Sequence, residues 1–538
     1  MRLLEFGRNT PFFWLGCLLV TIGVLLHLPM YWMARDMGFV LAGMPMGADM
    51  MWGMAAIIAG VGLAGWGLLP RTAAPLPGAP EVETIAPPED APLSRAHVGM
   101  MVLLAIALVI DIMKPASLGF VTPGMRTEYG VGDVTVAWLP FAALFGTALG
   151  SFLWGWLADV YGRRASILLS SVMFIGTAIC GTMPDFWWNV FMCFLMGAAA
   201  GGMLPVAYAL LAEIMPTRHR GWSLVLVGGV GAVGGFFAAS ALSALLQPTF
   251  GWRVMWLLNL PTGLALILLS PLLPESARFL ERVGRIDEAR AMLARFGARV
   301  QRVAAPPPMP ESLLPAGALP AVLSGHHLVG VASALTLSGL GWGLVNFGLL
   351  LWLPSQLVAE GRSVGAASAL IAQSTLLAAP TIAVCTFLYS RWSTKWTLVL
   401  MTAIMLAGLA GLAIQDAGPE GMVHPLLPLT LVVVGACGVI SILLPYTAEN
   451  FPIRIRGRAT GWVAACSKIG GLFAQGLNVV GIVPAFSVAA VMVGVPALAS
   501  LLLIAGYGRE TRQRDLRELE PAEEAILQPP AARARAPD

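Results

Sequence analysis

The sequence predicts an all-helical membrane bundle, and three observations lead to that class. Hydrophobic residues make up 57% of the 538 residues and charged residues only 11%, and the mean hydropathy is +0.79. A soluble domain carries roughly a quarter charged residues, so this chain could not cover a water-facing surface. Its apolar stretches run on for about 20 residues, the length of a membrane-spanning helix, without the alternation of barrel strands.

Fourteen apolar runs predict the architecture. Two spans come first, at about Phe12–Met33 and Asp49–Leu69, and two groups of six follow. The connection between the groups begins with Ser276–Gly297, whose helical periodicity and many arginines predict one or two helices on the membrane surface. The predicted parts are two accessory helices (1–71), a Pro-rich linker (72–95), a first six-helix half (96–273), the connection (274–325), a second six-helix half (326–508) and a tail (509–538).

Basic residues predict which side of the membrane each loop faces. With both termini inside, 26 of the 32 lysines and arginines fall in cytoplasmic segments. Such segments are enriched in Lys and Arg, so the sequence predicts a multi-pass protein of the inner or plasma membrane with cytoplasmic termini. The exceptions are Arg35, Arg126, Arg253 and Arg362 on the outside, and Lys114 and Lys468 within spans.

Several function classes are excluded or made unattractive by composition. A net charge of +3 is too small to indicate nucleic-acid binding. The six cysteines lie in apolar segments without metal-like spacing, and no nucleophile–base set or nucleotide-binding motif appears, so neither an enzyme nor a cofactor is predicted. Eight methionines between Met30 and Met54 leave Cu(I) capture open as an alternative for the leading pair. Helix packing or partner docking is the favoured role of that pair, with no metal site.

One sequence motif occurs twice. Ala212–Gly221 and Ala448–Gly457 share the pattern AExxPxRxRG at an offset of 236 residues. Each copy ends the fourth span of its group of six and enters a cytoplasmic loop. Two halves repeated in the same direction are typical of a rocking transporter, whose substrate site lies between the halves near the midplane.

With these motifs, the chain resembles the major facilitator superfamily. Gly155–Arg164 (GWLADVYGRR) is similar to the signature loop of that family, and Pro274–Leu280 (PESARFL) is similar to its PESPR[WF]L stretch, with Ala277 in place of the second proline. Both AExxPxRxRG copies are typical of the sugar-porter and synaptic-vesicle-protein-like branch, and Glu510-Thr511-Arg512 is a weaker echo of its tail. The resemblance covers about 96–519 and implies a twelve-span core preceded by two extra spans.

The resemblance implies that the motif charges form a cytoplasmic gate, in which ion pairs and a carboxylate-to-helix contact break when the halves rock. An alternative for the arginines alone is topological anchoring. The second signature loop is degraded, with Ser390 and Ser393 at the Asp and Gly positions, which predicts an asymmetric gate. The predicted gate residues are Asp159, Gly162, Arg163, Arg164, Glu213, Arg218, Arg220, Glu275, Arg278, Glu449, Arg454 and Arg456.

Ionisable residues inside spans are costly and indicate function. Asp111 and Lys114 stand three apart on one helical face, where they can pair directly. Two alternatives stay open for them: a buried ion pair without a ligand role, or a pair for which a substrate carboxylate or a proton competes. Lys468, in the second half, either contributes to the site or extends to the cytoplasmic interface. Related organic-acid symporters carry the pattern D-x-x-D in this span, and Lys114 occupies the position of the second Asp. A lysine at this position favours an anionic substrate.

Polar side chains in other core spans are weaker candidates, because amides in membrane helices often join helices rather than bind ligands. The predicted function is secondary transport of a small polar organic solute, an organic acid or a sugar-like molecule, with protons as a further candidate partner. A drug or metabolite exporter and a transport-dead docking protein are the alternatives. The predicted substrate or coupling residues are Asp111, Lys114, Asn346, Gln373, Tyr446, Lys468 and Gln475.

Overall fold

The computed structural model describes residues 10–68, 92–297, 326–417, 426–451, 453–482 and 486–512. These residues form helices and no strand, which confirms the predicted all-helical class for the described part of the chain. Most of the Pro-rich linker, the second part of the connection and the end of the tail lie outside the described residues.

The accessory helices at the start of the chain form a closely packed pair. Helix α1 covers Thr10–Leu25, α2 covers Leu28–Met33 and α3 covers Ala48–Leu68. Glycines let the backbones touch, because a Cβ added to Gly23 would lie 2.6 Å from the carbonyl oxygen of Gly53. Small residues at such contacts stabilise helix pairs in membranes, where the hydrophobic effect does not drive helices together.

The first half of the core and the start of the connection follow. The polar residues at helix ends explain several boundaries: Asp185 accepts hydrogen bonds from the backbone N–H groups of Trp187 and Trp188 and so begins a helix. The helices are α4 (Arg95–Tyr129), α5 (Asp133–Val136), α6 (Trp138–Tyr161), α7 (Arg163–Gly176), α8 (Phe186–Ala200), α9 (Met203–Ile214), α10 (Thr217–Phe250), α11 (Val254–Leu257), α12 (Asn259–Leu269), α13 (Ala277–Arg282) and α14 (Ile286–Arg295).

The second half repeats this plan with one irregularity, a π-helical turn at Leu344–Leu349 within its first span. The π-helix is rare and is often found at functional sites. The helices are α15 (His326–Gly343), α16 (Leu350–Ala359), α17 (Val364–Ala378), α18 (Pro380–Arg391), α19 (Thr394–Ala417), α20 (Leu426–Asn450), α21 (Ile453–Val479) and α22 (Phe486–Tyr507).

The described residues contain 12 helices that are long and apolar enough to cross a membrane. The predicted count of fourteen spans is not confirmed. One missing span is broken at Gly201 and Gly202 into α8 and α9. The other is α21, whose Lys468, Gln475 and Asn478 make it too polar to qualify.

The two halves face each other mainly through α4, α6 and α10 of the first half and α16, α17, α18, α20 and α21 of the second. We call the end of the bundle that carries the two AExxPxRxRG motifs the motif end, and the opposite end the far end. Near the motif end, a Cβ added to Gly221 would lie 2.9 Å from Glu449 Oε1 of the other half. Towards the far end, the hydroxyls of Ser243 and Ser368 are 2.7 Å apart. The halves therefore meet near both ends.

The accessory pair packs on the first half, with α1 and α3 against α7. A Cβ added to Gly176 would lie 3.0 Å from Cγ2 of Ile57, so the contact is close. Helix α2 contacts the far end of the first half, where the hydroxyl of its Tyr31 donates to the carbonyl oxygen of Phe250 at 2.7 Å.

Candidate transport site

Inside the bundle, Asp111 lies within electrostatic range of two lysines, one from each half. Asp111 and Lys114 lie on α4 and are 5% and 1% exposed. Lys468 lies on α21 of the other half, and its charge acts on Asp111. The Asp111–Lys114 pair and Lys468, which the sequence singled out separately, thus belong to one cluster. We call it the central cluster (Asp111, Lys114 and Lys468).

The direct Asp111–Lys114 ion pair that the spacing allowed is not formed. Lys114 Nζ instead lies 3.0 Å from the ring centroid of Phe174 on α7 and makes no hydrogen bond. Oδ1 of Asp111 also has no hydrogen-bond partner. An ammonium over an aromatic face gains electrostatic energy without a carboxylate, which explains why the lysine can point away from Asp111.

Lys468 contacts an aromatic side chain of its own half. Its Nζ lies 4.7 Å from the ring centroid of Phe347, a buried residue of the π-helical turn. Asp111 is the carboxylate whose charge acts on both lysines within the described part of the chain. When all three groups are ionised, the central cluster therefore carries one positive charge in excess.

The π-helical turn forms the wall of the central cluster on the side of the second half. Its Asn346 is half-buried. The side-chain amide of Gln475 on α21 donates to the carbonyl oxygen of Phe347 at 2.5 Å. The same side chain accepts a hydrogen bond of 3.2 Å from Nε1 of Trp352. Gln475 thus joins α21, the π-helical turn and α16.

Two of the predicted substrate residues lie apart from the central cluster. Gln373 is exposed on α17. Tyr446 is completely buried, and its hydroxyl donates to the carbonyl oxygen of Arg509 at the motif end. Its position in a core span predicts a cavity residue, but the first residue of the tail, Arg509, lies against it.

At the motif end of the first half, Glu275 caps helix α7. Its Oε1 accepts hydrogen bonds from the backbone N–H groups of Arg163 and Arg164 at 2.7 and 3.3 Å. The next residue, Ser276, donates its hydroxyl to Glu213 at 2.6 Å, and Arg163 forms an ion pair with the same Glu213. The carboxylate-to-helix contact implied by the resemblance is therefore present, and it joins three elements.

Gly162 makes this cap possible. Its φ of +102° is a conformation that residues with a side chain rarely adopt, and a Cβ there would lie 2.5 Å from Oε2 of Glu275. Glycine therefore lets the carboxylate approach the first backbone N–H groups of α7 directly.

The second half makes the same arrangement with different residues. Glu510 accepts hydrogen bonds from the backbone N–H and the hydroxyl of Thr394, at 3.0 and 2.9 Å, and so caps α19. A hydrogen bond from Ser393 adds to the cap. The next residue, Thr511, donates its hydroxyl to Glu449 at 2.6 Å. Glu510 and Thr511 thus match Glu275 and Ser276.

The predicted asymmetry of the gate is therefore wrong for the helix caps. Ser393 replaces the signature glycine but contributes a hydroxyl, so the second loop is altered rather than lost. The sequence did contain a signal, because a Glu-hydroxyl pair follows the last span of each half, at Glu275-Ser276 and Glu510-Thr511.

The two capping carboxylates differ in their pKa. Burial raises the pKa of Glu275, and the backbone N–H groups of Ser276, Arg164 and Arg163 oppose it only in part. Burial also acts to raise the pKa of Glu510, but hydrogen bonds from Ser393 and Thr394 outweigh it and lower the pKa overall.

The other predicted gate residues occupy varied positions. Glu449 accepts a hydrogen bond of 2.7 Å from the hydroxyl of Tyr389, and Arg220 donates to the carbonyl oxygen of Met215 at 3.4 Å. Arg218 is exposed. The side chains that lie outside the described part of the structure are those of Asp159, Arg278, Arg454 and Arg456.

We expect removal of either capping carboxylate to loosen the contact between the halves at the motif end. A lost N-terminal cap costs about 0.5–2 kcal/mol, so Glu275→Ala and Glu510→Ala should each shift the closed state towards opening by about two- to thirty-fold. Cys437 of the second half and Val233 of the first half line the same small cavity. The accessibility of the Cys437 thiol therefore reports the separation of the halves.

The measurement is the rate at which a maleimide alkylates Cys437, resolved by peptide mass spectrometry, with Cys17 of the accessory pair as the internal control. Both variants should raise the rate at Cys437 and leave Cys17 unchanged. An increase in Glu275→Ala alone would show that the gate is asymmetric after all.

The far end of the first half contains a buried ionic network that the sequence did not reveal. Arg253 is completely buried and forms an ion pair of 2.6 Å with Glu128 at the end of α4. It also donates to the carbonyl oxygen of Met183 at 2.9 Å. The backbone N–H groups of Leu41 and Ala42, in the accessory segment, donate to Glu128 at 2.7 and 3.0 Å. We call these five residues the outer network.

The chain is similar to known proteins over most of its length. The family model for the Major Facilitator Superfamily matches residues 102–475. A niacin transporter of Acinetobacter baylyi is 26% identical, over 72% of this chain and 87% of its own length. A gallate transporter of Pseudomonas putida is 27% identical, over 79% of this chain and 97% of its own length. The structure of the xylose transporter XylE from E. coli, partially occluded and inward open, covers 78% of this chain and all of its own at 15% identity, with a TM-score of 0.62.

Proposed function

Because the chain belongs to the Major Facilitator Superfamily, it is a multi-pass membrane transporter that moves small organic solutes by secondary transport, and we propose that its substrate is a small aromatic carboxylate. The central cluster binds the substrate between the two halves. Alternating closure of the motif end and the far end then moves it across the membrane.

The excess positive charge of the central cluster carries this proposal. Asp111 and Lys114 are buried and Lys468 is half-buried, and a cation held away from water without a full counter-charge is unfavourable. A carboxylate substrate supplies the missing negative charge, whereas a neutral sugar does not. Lys468 is the better placed ligand, because it belongs to the half opposite Asp111 and its charge acts across the interface.

Aromatic rings next to both lysines support the aromatic part of the proposal. Phe174 lies against Lys114 and Phe347 lies against Lys468. A flat substrate ring can pack on such side chains while its carboxylate meets an ammonium. The names of two relatives are consistent with this chemistry, since niacin and gallate are both aromatic carboxylates.

A proton is the proposed coupling ion, and Asp111 its binding group. Oδ1 of Asp111 has no hydrogen-bond partner, and a carboxylate inside a membrane is a usual proton site. Neutralising Asp111 frees Lys468 for the substrate anion, so the proton and the anion favour each other's binding.

The proposed orientation places the motif end and both termini in the cytoplasm, in the inner or plasma membrane. The distribution of basic residues supports it, because 26 of the 32 lysines and arginines then face the cytoplasm. The contact between Gly221 and Glu449, which joins the halves at the motif end, then lies on the cytoplasmic side.

The test is uptake by proteoliposomes that contain the purified protein, with and without an inward proton gradient. The panel contains nicotinate, benzoate, gallate, xylose and glucose. We expect uptake of at least one aromatic acid, stimulated by the gradient. Uptake of the sugars without any of the acids would contradict the proposed substrate, and uptake insensitive to the gradient would contradict proton coupling.

A further inference from the structure

The π-helical turn interrupts the first span of the second half where it faces the central cluster. Helix α15 precedes it and α16 continues it, so the span stays continuous through Leu344–Leu349. A π-helical turn contains one residue more than an α-helical turn. The extra residue rotates the helix after the turn relative to the helix before it. Such a turn needs support from its surroundings to persist.

Gln475 supplies that support from another helix. Its side chain is completely buried, and both ends of its amide are used: Nε2 donates to the carbonyl oxygen of Phe347 and Oε1 accepts from Trp352. An amide that bridges a helix carbonyl and an indole N–H fixes three elements together.

The residue held in this way is the one that meets the lysine. The ring of Phe347 lies beneath Lys468 Nζ, and its backbone carbonyl accepts the hydrogen bond from Gln475. Trp342 contacts the same ring edge-on, with ring centroids 5.5 Å apart. A Cβ added to Gly471 on α21 would lie 2.8 Å from Cβ of Phe347. The backbone of α21 therefore also packs closely against Phe347.

We propose that Gln475 is a positioning residue, which fixes the π-helical turn so that the ring of Phe347 lies under Lys468 and selects flat aromatic carboxylates over saturated ones. This inference rests on the proposed function. The ammonium binds the carboxylate, and the ring beside it packs well only against a planar substrate. A puckered ring of the same size keeps the charge but loses that contact.

The experiment compares two acids of similar size and equal charge, benzoate and cyclohexanecarboxylate. In the full-length protein in proteoliposomes, we expect the ratio of their KM values to favour benzoate. Gln475→Met keeps the volume of the side chain but removes both hydrogen bonds. It should reduce this preference by about ten-fold, the effect of a lost buried hydrogen bond, while the maximal rate for cyclohexanecarboxylate changes little. Trp352→Phe, which removes one bond, should give an intermediate ratio.

A second measurement does not depend on any substrate. Hydrogen–deuterium exchange of a peptide that contains residues 344–352 should be faster in Gln475→Met than in the wild type, because the turn has lost its support. Asn478→Ala is the matched control. It lies one turn along α21, its Oδ1 has no hydrogen-bond partner, and neither exchange nor preference should change.

The outcomes separate the inference from the proposed function. Absence of benzoate uptake by the wild type overturns the proposed function and this inference with it. Benzoate uptake by the wild type with an unchanged acid preference in Gln475→Met overturns the inference alone. Unchanged exchange at residues 344–352 in Gln475→Met also overturns it, whatever the transport result.

Discussion

Lys468→Gln should raise the KM for an aromatic carboxylate by roughly thirty-fold or more in proteoliposome uptake. Truncating one member of a buried charge pair costs about 2–5 kcal/mol, and each 1.4 kcal/mol is a factor of ten. The substrate anion loses its cation in the second half, and Asp111 loses a neighbouring positive charge.

Arg362→Gln is the control for this prediction. Arg362 belongs to the same half but is exposed, so its replacement removes one positive charge without touching the central cluster. Its KM should stay within about two-fold of the wild-type value, as expected for an exposed charge. Equal effects of the two variants would show that Lys468 acts only through overall charge, and would contradict a direct contact with the substrate.

Arg253→Met should lower the free energy of unfolding by about 3–5 kcal/mol, because it leaves Glu128 buried without its cation. The loss should appear in chemical denaturation of the protein in detergent micelles. Replacing Arg253 and Glu128 together, by Met and Leu, should cost less than the single change, because no buried charge is then left alone.

Arg126→Met is the matched control for the outer network. Arg126 also lies near the end of α4 and forms an ion pair of 2.6 Å with Asp133, but the two side chains are 50% and 62% exposed. Exposed pairs contribute about 0–1 kcal/mol. A loss in Arg253→Met no larger than in Arg126→Met would show that the outer network does not stabilise the fold.

The outer network also bears on the role of the accessory pair, which the sequence left open. Leu41 and Ala42 bind Glu128 through their backbone, and Glu128 lies on α4, the helix that carries Asp111 and Lys114. The accessory pair is therefore joined to the half that contains two of the three charges. A backbone contact of this kind has no sequence signature, which is why only the structure reveals it.

The helical fold followed from the sequence because its signals are strong and local. Long apolar runs predict helices without reference to any partner, and the repeated AExxPxRxRG pattern predicts two similar halves. The predicted count of fourteen spans stays unconfirmed, because Lys468, Gln475 and Asn478 reduce the hydropathy of α21, and glycines divide the fourth core span.

The central cluster could be predicted only in part. Asp111, Lys114 and Lys468 stood out because charges are rare in spans, but their partners lie on other helices. The spacing of Asp111 and Lys114 favoured a direct pair, yet the lysine meets Phe174, which lies 60 positions further along the chain. Side-chain direction of this kind depends on packing between helices and not on periodicity.

At the motif end, the sequence led to too little similarity being predicted between the two halves. Ser390 and Ser393 appeared as losses when compared with the signature loop, since sequence comparison scores identity and not hydrogen-bonding capacity. In the structure, Ser393 and Thr394 bind Glu510 much as the start of α7 binds Glu275. A repeat can thus be preserved in geometry after its motif has changed.

The claim that the central cluster binds a carboxylate is tested most directly by equilibrium binding of nicotinate and nicotinamide to the purified wild-type protein. The two ligands share the aromatic ring and differ in the negative charge. Because a charge-assisted contact is about twice as strong as a neutral one, nicotinate should bind at least about ten-fold more tightly. Equal affinities, or tighter binding of nicotinamide, would contradict the assignment of the central cluster as a carboxylate site.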